Sequence, residues 1–253
     1  VTRYALLLEY DGAGFVGWQR QDAERPSVQL VLERAAARLS DGAPVASVVA
    51  GRTDSGVHAE GQVAHLDLPD LPPDRLRDAL NFHMKPHDVV VLRAAPVPPG
   101  WSARFDAIGR AYRYRILNRR VRPALARGRV WHVPAPLDAA AMAAAAALLL
   151  GRHDFTSFRA AACQANSPVR TLDRLDVTRD GDRIDIVAEA RSFLHHQVRN
   201  LAGTLRLVGD GSWPVGRVAE ALAARDRRAA GPTAPPDGLA LVAVRYDPDP
   251  FSR

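Results

Sequence analysis

A single carboxylate stands where a strand ought to end. The run Val45-Ala46-Ser47-Val48-Val49-Ala50 reads as a buried strand, and Gly51-Arg52-Thr53-Asp54-Ser55-Gly56-Val57-His58-Ala59 follows it directly. Gly51 and Gly56 can take backbone angles closed to residues with a Cβ, so Asp54 is bracketed by a tight turn on a stiff base. An Asp with a reference pKa of about 3.9 is ionised at neutral pH, and such a carboxylate can act as a nucleophile. The same residues also fit a turn Asp that bonds its own backbone. Three other patterns promise chemistry and lack the residues or geometry it needs. Gly12-Ala13-Gly14-Phe15-Val16-Gly17 satisfies G-x-G-x-x-G, but Trp18-Gln19-Arg20-Gln21-Asp22 and Pro26 stand where a dinucleotide-binding helix must begin. His58-Ala59-Glu60 matches H-x-E of the zinc deaminases, yet Cys163 is the only cysteine and P-C-x-x-C cannot be made. His195 and His196, adjacent on an expected helix, would point about 100° apart, so no metal site is expected there.

The elements that must hold Asp54 can be read from periodicity. A strand is expected from Tyr4 to Tyr10. A helix follows, with Ser27 as its cap, Val28, Leu30, Val31, Leu32, Ala35 and Leu39 on its apolar face, and Gly42 past its end. Gln62 to Leu68 alternates as a strand, Asp74 can cap a helix from Arg75 to Met84, and Val89 to Ala94 reads as another strand. Pro96-Val97-Pro98-Pro99-Gly100 then suggests a boundary between halves 1–100 and 101–253. The second half repeats the order: a strand from Arg110 to Leu117, a helix from Asp138 to about Leu150, strands at Leu172 to Val177 and Arg183 to Ala190, a helix from His195 to Val208, another after Pro214, and a closing strand near Leu239 to Tyr246. Two related α/β halves with hairpin-like strand spacing predict an α+β protein with mixed or antiparallel sheet and helices packed on one side. Tyr112, Tyr114 and Ile116 share one face of their strand, which reads as a core-facing aromatic pair, while Arg113 and Arg115 share the other.

Composition narrows the partner. The chain has 253 residues and a net charge of +6, with Lys85 its only lysine among 34 basic residues. Arginine forks match phosphates and its plane stacks on bases, so RNA is a natural partner; a compositional drift toward Arg and Ala would produce the same numbers. Arg119, Arg120, Arg122, Arg127 and Arg129 gather in one stretch with Pro123 and Gly128, a basic loop suited to phosphate contact or simply to solvent. No run reaches the roughly 18 apolar residues of a membrane span, and the start lacks a signal peptide's apolar region, so a cytoplasmic protein is expected.

The string around Asp54 resembles the nucleophile motif of the pseudouridine synthases, and the whole chain resembles the tRNA pseudouridine synthase A (TruA) family. The likeness rests on Tyr10-Asp11-Gly12 with Phe15-Val16-Gly17-Trp18-Gln19, Ser27-Val28-Gln29, Phe105-Asp106-Ala107 leading to Arg110-Ala111-Tyr112-Arg113-Tyr114, His153-Asp154-Phe155-Thr156-Ser157-Phe158, Phe193-Leu194-His195-His196-Gln197-Val198-Arg199-Asn200, and Gly238 to Val244. The resemblance implies two halves forming one extended sheet around a central basic cleft, a cofactor-free and metal-free enzyme, a homodimer, and a tRNA substrate modified in the anticodon stem-loop at tRNA positions 38, 39 and 40. It implies Asp54 as nucleophile toward sugar or base, Arg199 as its ion partner, Tyr112 against the target uracil, and Arg52 as an aid to base flipping. Leu194 and Val198 would wall the base pocket or pack in the core. Gln197 departs from the family's usual Met. A tRNA-binding protein without catalysis, or a hydrolase using Asp54, are the rival expectations.

Overall fold

The computed structural model describes residues 1–21 and 25–252; positions 22–24, at the end of the polar stretch that precedes the first helix, and position 253 lie outside the described residues. In chain order the elements are β1 (Thr2–Tyr10), α1 (Val28–Arg38), β2 (Val48–Val49), β3 (His58–Leu68), α2 (Pro73–Met84), β4 (Val89–Val97), β5 (Gly109–Leu117), β6 (Trp131–His132), α3 (Ala139–Ala147), β7 (Gly151–Asp154), β8 (Val169–Asp180), β9 (Arg183–Ala190), α4 (Gln197–Gly209), α5 (Arg217–Ala224) and β10 (Leu239–Arg245). Strands pair both parallel and antiparallel, and the class is α+β. The chain forms two compact units, Val1–Arg110 with Ala240–Arg253, and Ala111–Leu239.

In the first unit the strand order is β4-β1-β3-β10. β1 lies antiparallel to both β3 and β4, and its Tyr4, Leu6, Leu8 and Tyr10 are buried on one face. Helix α1 begins as its sequence requires: Ser27 Oγ accepts the Leu30 N–H at 3.1 Å, and Val28, Val31, Leu32, Ala35 and Ala36 face the core. Such a cap contributes about 1 kcal/mol. Asp74 does not cap α2; Pro72 takes that place, Pro73 opens the helix without an N–H to satisfy, and Asp74 bonds Arg77 at 2.9 Å within the first turn.

The other face of β1 explains why the first unit runs past residue 100. Ala103 and Ala107 join Ala5, Ala50, Val63, Tyr246 and Phe251 in a buried cluster, with Trp101 against it, and Tyr246 donates its hydroxyl to Ala103 O at 2.7 Å. Pro96 lies within β4 opposite Tyr4 and not in a linker. A proline is tolerated there because β4 ends the strand order and needs no donor on its outer side.

The expected strand over 45–50 shrinks to Val48–Val49, and Val48 is exposed. One edge of β3 is divided between two short partners: β10 pairs parallel with His58 and Ala59, and β2 pairs antiparallel with Ala64 and His65. β2 pairs over those two positions only, and Ser47 instead donates its N–H and its hydroxyl to Glu33 Oε1, each at 2.9 Å.

In the second unit the order is β5-β9-β8-β7, with β6 parallel to β5. Ile184, Ile186, Ala188 and Ala190 of β9 are buried, as their alternation predicts, with Tyr114 and Ile116 of β5. Helix α3 starts under its Asp138 cap, which accepts the Ala141 N–H at 2.9 Å, and packs on β8 and α4. Helix α4 starts at Gln197 and not at His195. His196 precedes it with φ 61°, in the left-handed region.

Candidate functional site

Each unit carries one candidate segment. In the first unit Asp54 is half-buried and Arg52 exposed, while Thr53 between them is buried. The turn closes on itself, Val57 N–H donating to Asp54 O at 3.1 Å. Residues 15–18 lie against it: Trp18 N–H donates to Thr53 O at 3.0 Å, and Ser55 Oγ to Phe15 O at 3.3 Å. Gly17 is required at this contact. Its φ is +105°, and a Cβ there would sit 2.7 Å from Thr53 O and 3.0 Å from Asp54 C. The motif residues 15–19 are thus the bed on which the Asp54 turn rests.

Beneath the turn is a polar group that periodicity does not reveal. Tyr10, Gln62 and Thr53 are all buried, with Tyr10 Oη 2.7 Å from Thr53 Oγ1 and Gln62 Nε2 donating to both Tyr10 Oη (3.2 Å) and Gly51 O (2.7 Å). Burial pushes the Tyr10 hydroxyl up to about 12, opposed by its bonds to Thr53 and Gln62, so it stays protonated. Arg110 reaches the strand exit from the other side, donating Nη2 to Ala50 O at 2.7 Å and to Arg104 O at 3.0 Å. Close by, His58 Nδ1 accepts the Gly12 N–H at 3.0 Å and lies 3.1 Å from Asp11 Oδ1.

In the second unit Arg199 is half-buried on the first turns of α4. The loop after α5 holds it: Arg199 Nε donates to Ala234 O at 2.8 Å, and Ala234 N–H returns a bond to Arg199 O at 3.1 Å. That loop is itself pinned to α4. Thr233 Oγ1 and Arg227 Nη2 donate to Asn200 Oδ1, at 2.7 and 3.0 Å, and Gly231 N–H donates to Thr204 Oγ1 at 2.9 Å. The backbones touch at Gly203, where a Cβ would fall 1.8 Å from Pro232 O. The proline-rich stretch 232–237, which carries no legible chemistry as sequence, is the clamp of Arg199.

Tyr112 and Tyr114 separate as their neighbours dictate. Tyr114 is fully buried, donates its hydroxyl to Pro235 O at 2.8 Å, and has its pKa raised by burial against the lowering effect of the Arg199 charge. Tyr112 is half-buried and meets Phe193 edge to face, ring centres 5.2 Å apart. Leu194 and Val198 are each only 4% exposed. Gln197 is buried as well: its Oε1 accepts the Leu194 N–H at 2.8 Å and its backbone N–H donates to Leu194 O at 3.0 Å, closing the turn that leads into α4. A Met side chain has no amide oxygen for the first of these bonds. His195 and His196, off the helix, lie with ring centres 4.0 Å apart, so the divergence expected of helical neighbours is absent. The five arginines of 119–129 are all exposed on an irregular loop, anchored by His132 Nε2 at 2.8 Å from Arg119 O and by Asn118, whose amide donates to Val133 O and Ala135 O.

Known proteins give the chain its family. The family model for tRNA pseudouridine synthase matches residues 7–106 and 145–247. The chain is 72% identical, over the full length of both chains, to tRNA pseudouridine synthase A of Acidiphilium cryptum. It is 56% identical to the protein of that name from Gluconobacter oxydans, covering all of this chain and 93% of the other, and 60% identical to that of Paramagnetospirillum magneticum, covering 97% and 96%. Matches of this extent define an isomerase that acts on tRNA uridines. The chain belongs to the tRNA pseudouridine synthase family.

Proposed function

We propose that this enzyme isomerises uridine to pseudouridine in the anticodon stem-loop of tRNA, with Asp54 as the nucleophile. The reaction breaks the bond between ribose C1′ and uracil N1, turns the base, joins C1′ to C5 and releases the C5 proton. What carries the reading is the Asp54 turn: a half-buried carboxylate whose backbone is fixed from below by Gln62 and from the side by Trp18 and Gly17. A nucleophile gains rate from such orientation because it spends no freedom at the moment of attack. In this reading Arg199 pairs with Asp54 and keeps it charged, Tyr112 lies against the flipped uracil, Leu194 and Val198 back the base, and Arg52 holds the backbone of the flipped nucleotide. The exposed arginines of 119–129 contact phosphates. The route needs neither metal nor cofactor. A homodimer and a cytoplasmic location belong to the same reading, on resemblance alone.

Asp54→Asn keeps the shape and removes the nucleophile. Release of tritium from C5-labelled uridine in tRNA is expected to fall on the order of a thousandfold or more, with tRNA binding retained. A variant that still turns over would refute the assignment, and loss of binding alone would favour a tRNA-binding role over catalysis.

A further inference from the structure

The polar group under the Asp54 turn has a direction. Gln62 Oε1 accepts the Val63 N–H at 3.2 Å, and both hydrogens of its Nε2 are committed, to Gly51 O and to Tyr10 Oη. Turning the amide over would set its oxygen against Gly51 O, so this orientation is the one that satisfies every partner. Tyr10 Oη therefore accepts from Gln62 and shares one hydrogen bond with Thr53 Oγ1, 2.7 Å away, in which either hydroxyl can donate. With Tyr10 as the donor of that bond, Thr53 has a hydroxyl hydrogen to give, one peptide bond from Asp54. Nothing in the packing demands hydroxyls here. The Tyr10 ring already packs edge to face on Phe15 and tilted on Trp18, centres 6.4 and 6.2 Å apart, and a phenylalanine would fill the same volume.

We propose that Tyr10 and Gln62 are positioning residues for the proposed nucleophile, acting through Thr53 as a one-way chain of donors, Gln62 to Tyr10 to Thr53, that fixes residues 51–53 and sets the Thr53 hydroxyl as a donor beside Asp54. Burying three polar side chains is costly unless each is bonded, and a fully bonded buried chain gains rigidity in return. The proposal rests on Asp54 being the nucleophile, since a turn with no chemistry to perform would not need its neighbour's hydroxyl oriented.

The test uses single-turnover tritium release at saturating enzyme, with tRNA affinity and thermal melting measured on the same samples. Tyr10→Phe and Thr53→Val should each slow release about tenfold while tRNA affinity changes less than about twofold. Because both cut one chain, the double variant should be about as slow as either single, and Thr53→Ser, which keeps the hydroxyl, should stay near wild type. Two singles whose effects multiply to about a hundredfold, or a lowered melting temperature with release unchanged, would overturn the chain. Should Tyr10→Phe not fold, the contrast between Thr53→Val and Thr53→Ser decides the matter: equal rates refute it, a slow valine and a fast serine uphold it. Full activity in Tyr10→Phe beside an inactive Asp54→Asn removes the chain and leaves the nucleophile standing. An active Asp54→Asn removes the nucleophile itself.

Discussion

The two site segments are held in opposite ways. The Asp54 turn rests on backbone: Thr53 O takes the Trp18 N–H, Gly17 lets the two chains approach, and the side chains that reach it from below end on Gly51 O and on the neighbouring hydroxyl. Arg199 is held by its own side chain, whose Nε is spent on Ala234 O in a loop that is pinned to α4 by Asn200 and Thr204. A short carboxylate has two torsions and is oriented once its backbone is fixed. A long guanidinium keeps several torsions even on a rigid helix, and needs a second element to choose among them.

That contrast can be broken at two glycines. Gly17→Ala forces a left-handed φ on alanine and drives its Cβ into Thr53 O, so it should move the turn that carries Asp54. We expect tritium release to fall about a hundredfold, with a destabilisation of roughly 1–3 kcal/mol in urea titration. Full activity would show that the turn does not depend on its bed. Gly203→Ala acts on the other segment by pushing Pro232 O off α4. It should loosen the loop carrying Ala234, lower release about tenfold, and leave the Asp54 turn unaltered. Amide exchange should quicken in 230–236 but not in 51–57; a uniform change would erase the distinction.

The smallest expected effect concerns the support behind the strand exit. His65 Nδ1 accepts the Ala103 N–H at 3.0 Å, its ring meets Trp101 edge to face, and burial holds its pKa below the usual histidine value, with Arg3 pushing the same way and Asp67 and Asp106 opposing. A depressed histidine pKa means the fold prefers the neutral ring. Stability should be constant above about pH 6.5 and decline as the pH falls from there through the folded value, where a proton on Nδ1 removes the acceptor. Thermal melts at pH 7.5 and 5.5 should differ less in His65→Gln than in wild type. An unchanged difference would assign the decline to other groups.

Much of this was legible beforehand, and particular residues show why the rest was not. Ser27 and Asp138 announce their helices because a cap is a local bond, and the alternation of β9 predicts its buried face because period two is set within one strand. Of the two glycines that bracket Asp54 in the sequence, Gly56 does take a left-handed φ of 80° and Gly51 does not, while the dependence of the turn on Gly17 was not readable. Nor were other long-range commitments. The run 45–50 has the composition of a buried strand, but it pairs with β3 over two positions only, Ala64 and His65. Prolines at 96–100 read as a linker until β4 is seen to lack an outer neighbour. Tyr10 and Gln62 each look like ordinary strand residues, and only the pairing of β1 with β3 sets them side by side under Gly51. Likewise 232–237 gains a task only once α4 brings Arg199 beneath it.

The place of β10 has a consequence for how the protein is made. This strand completes the first unit by pairing with His58 and Ala59, yet it emerges from the ribosome after every residue of the second unit. The N-terminal strands must therefore wait, with one flank of β3 unfilled, while about 130 intervening residues are synthesised and can fold by themselves. The Asp54 turn immediately precedes that flank in the chain, so its surroundings are finished only once β10 has been made.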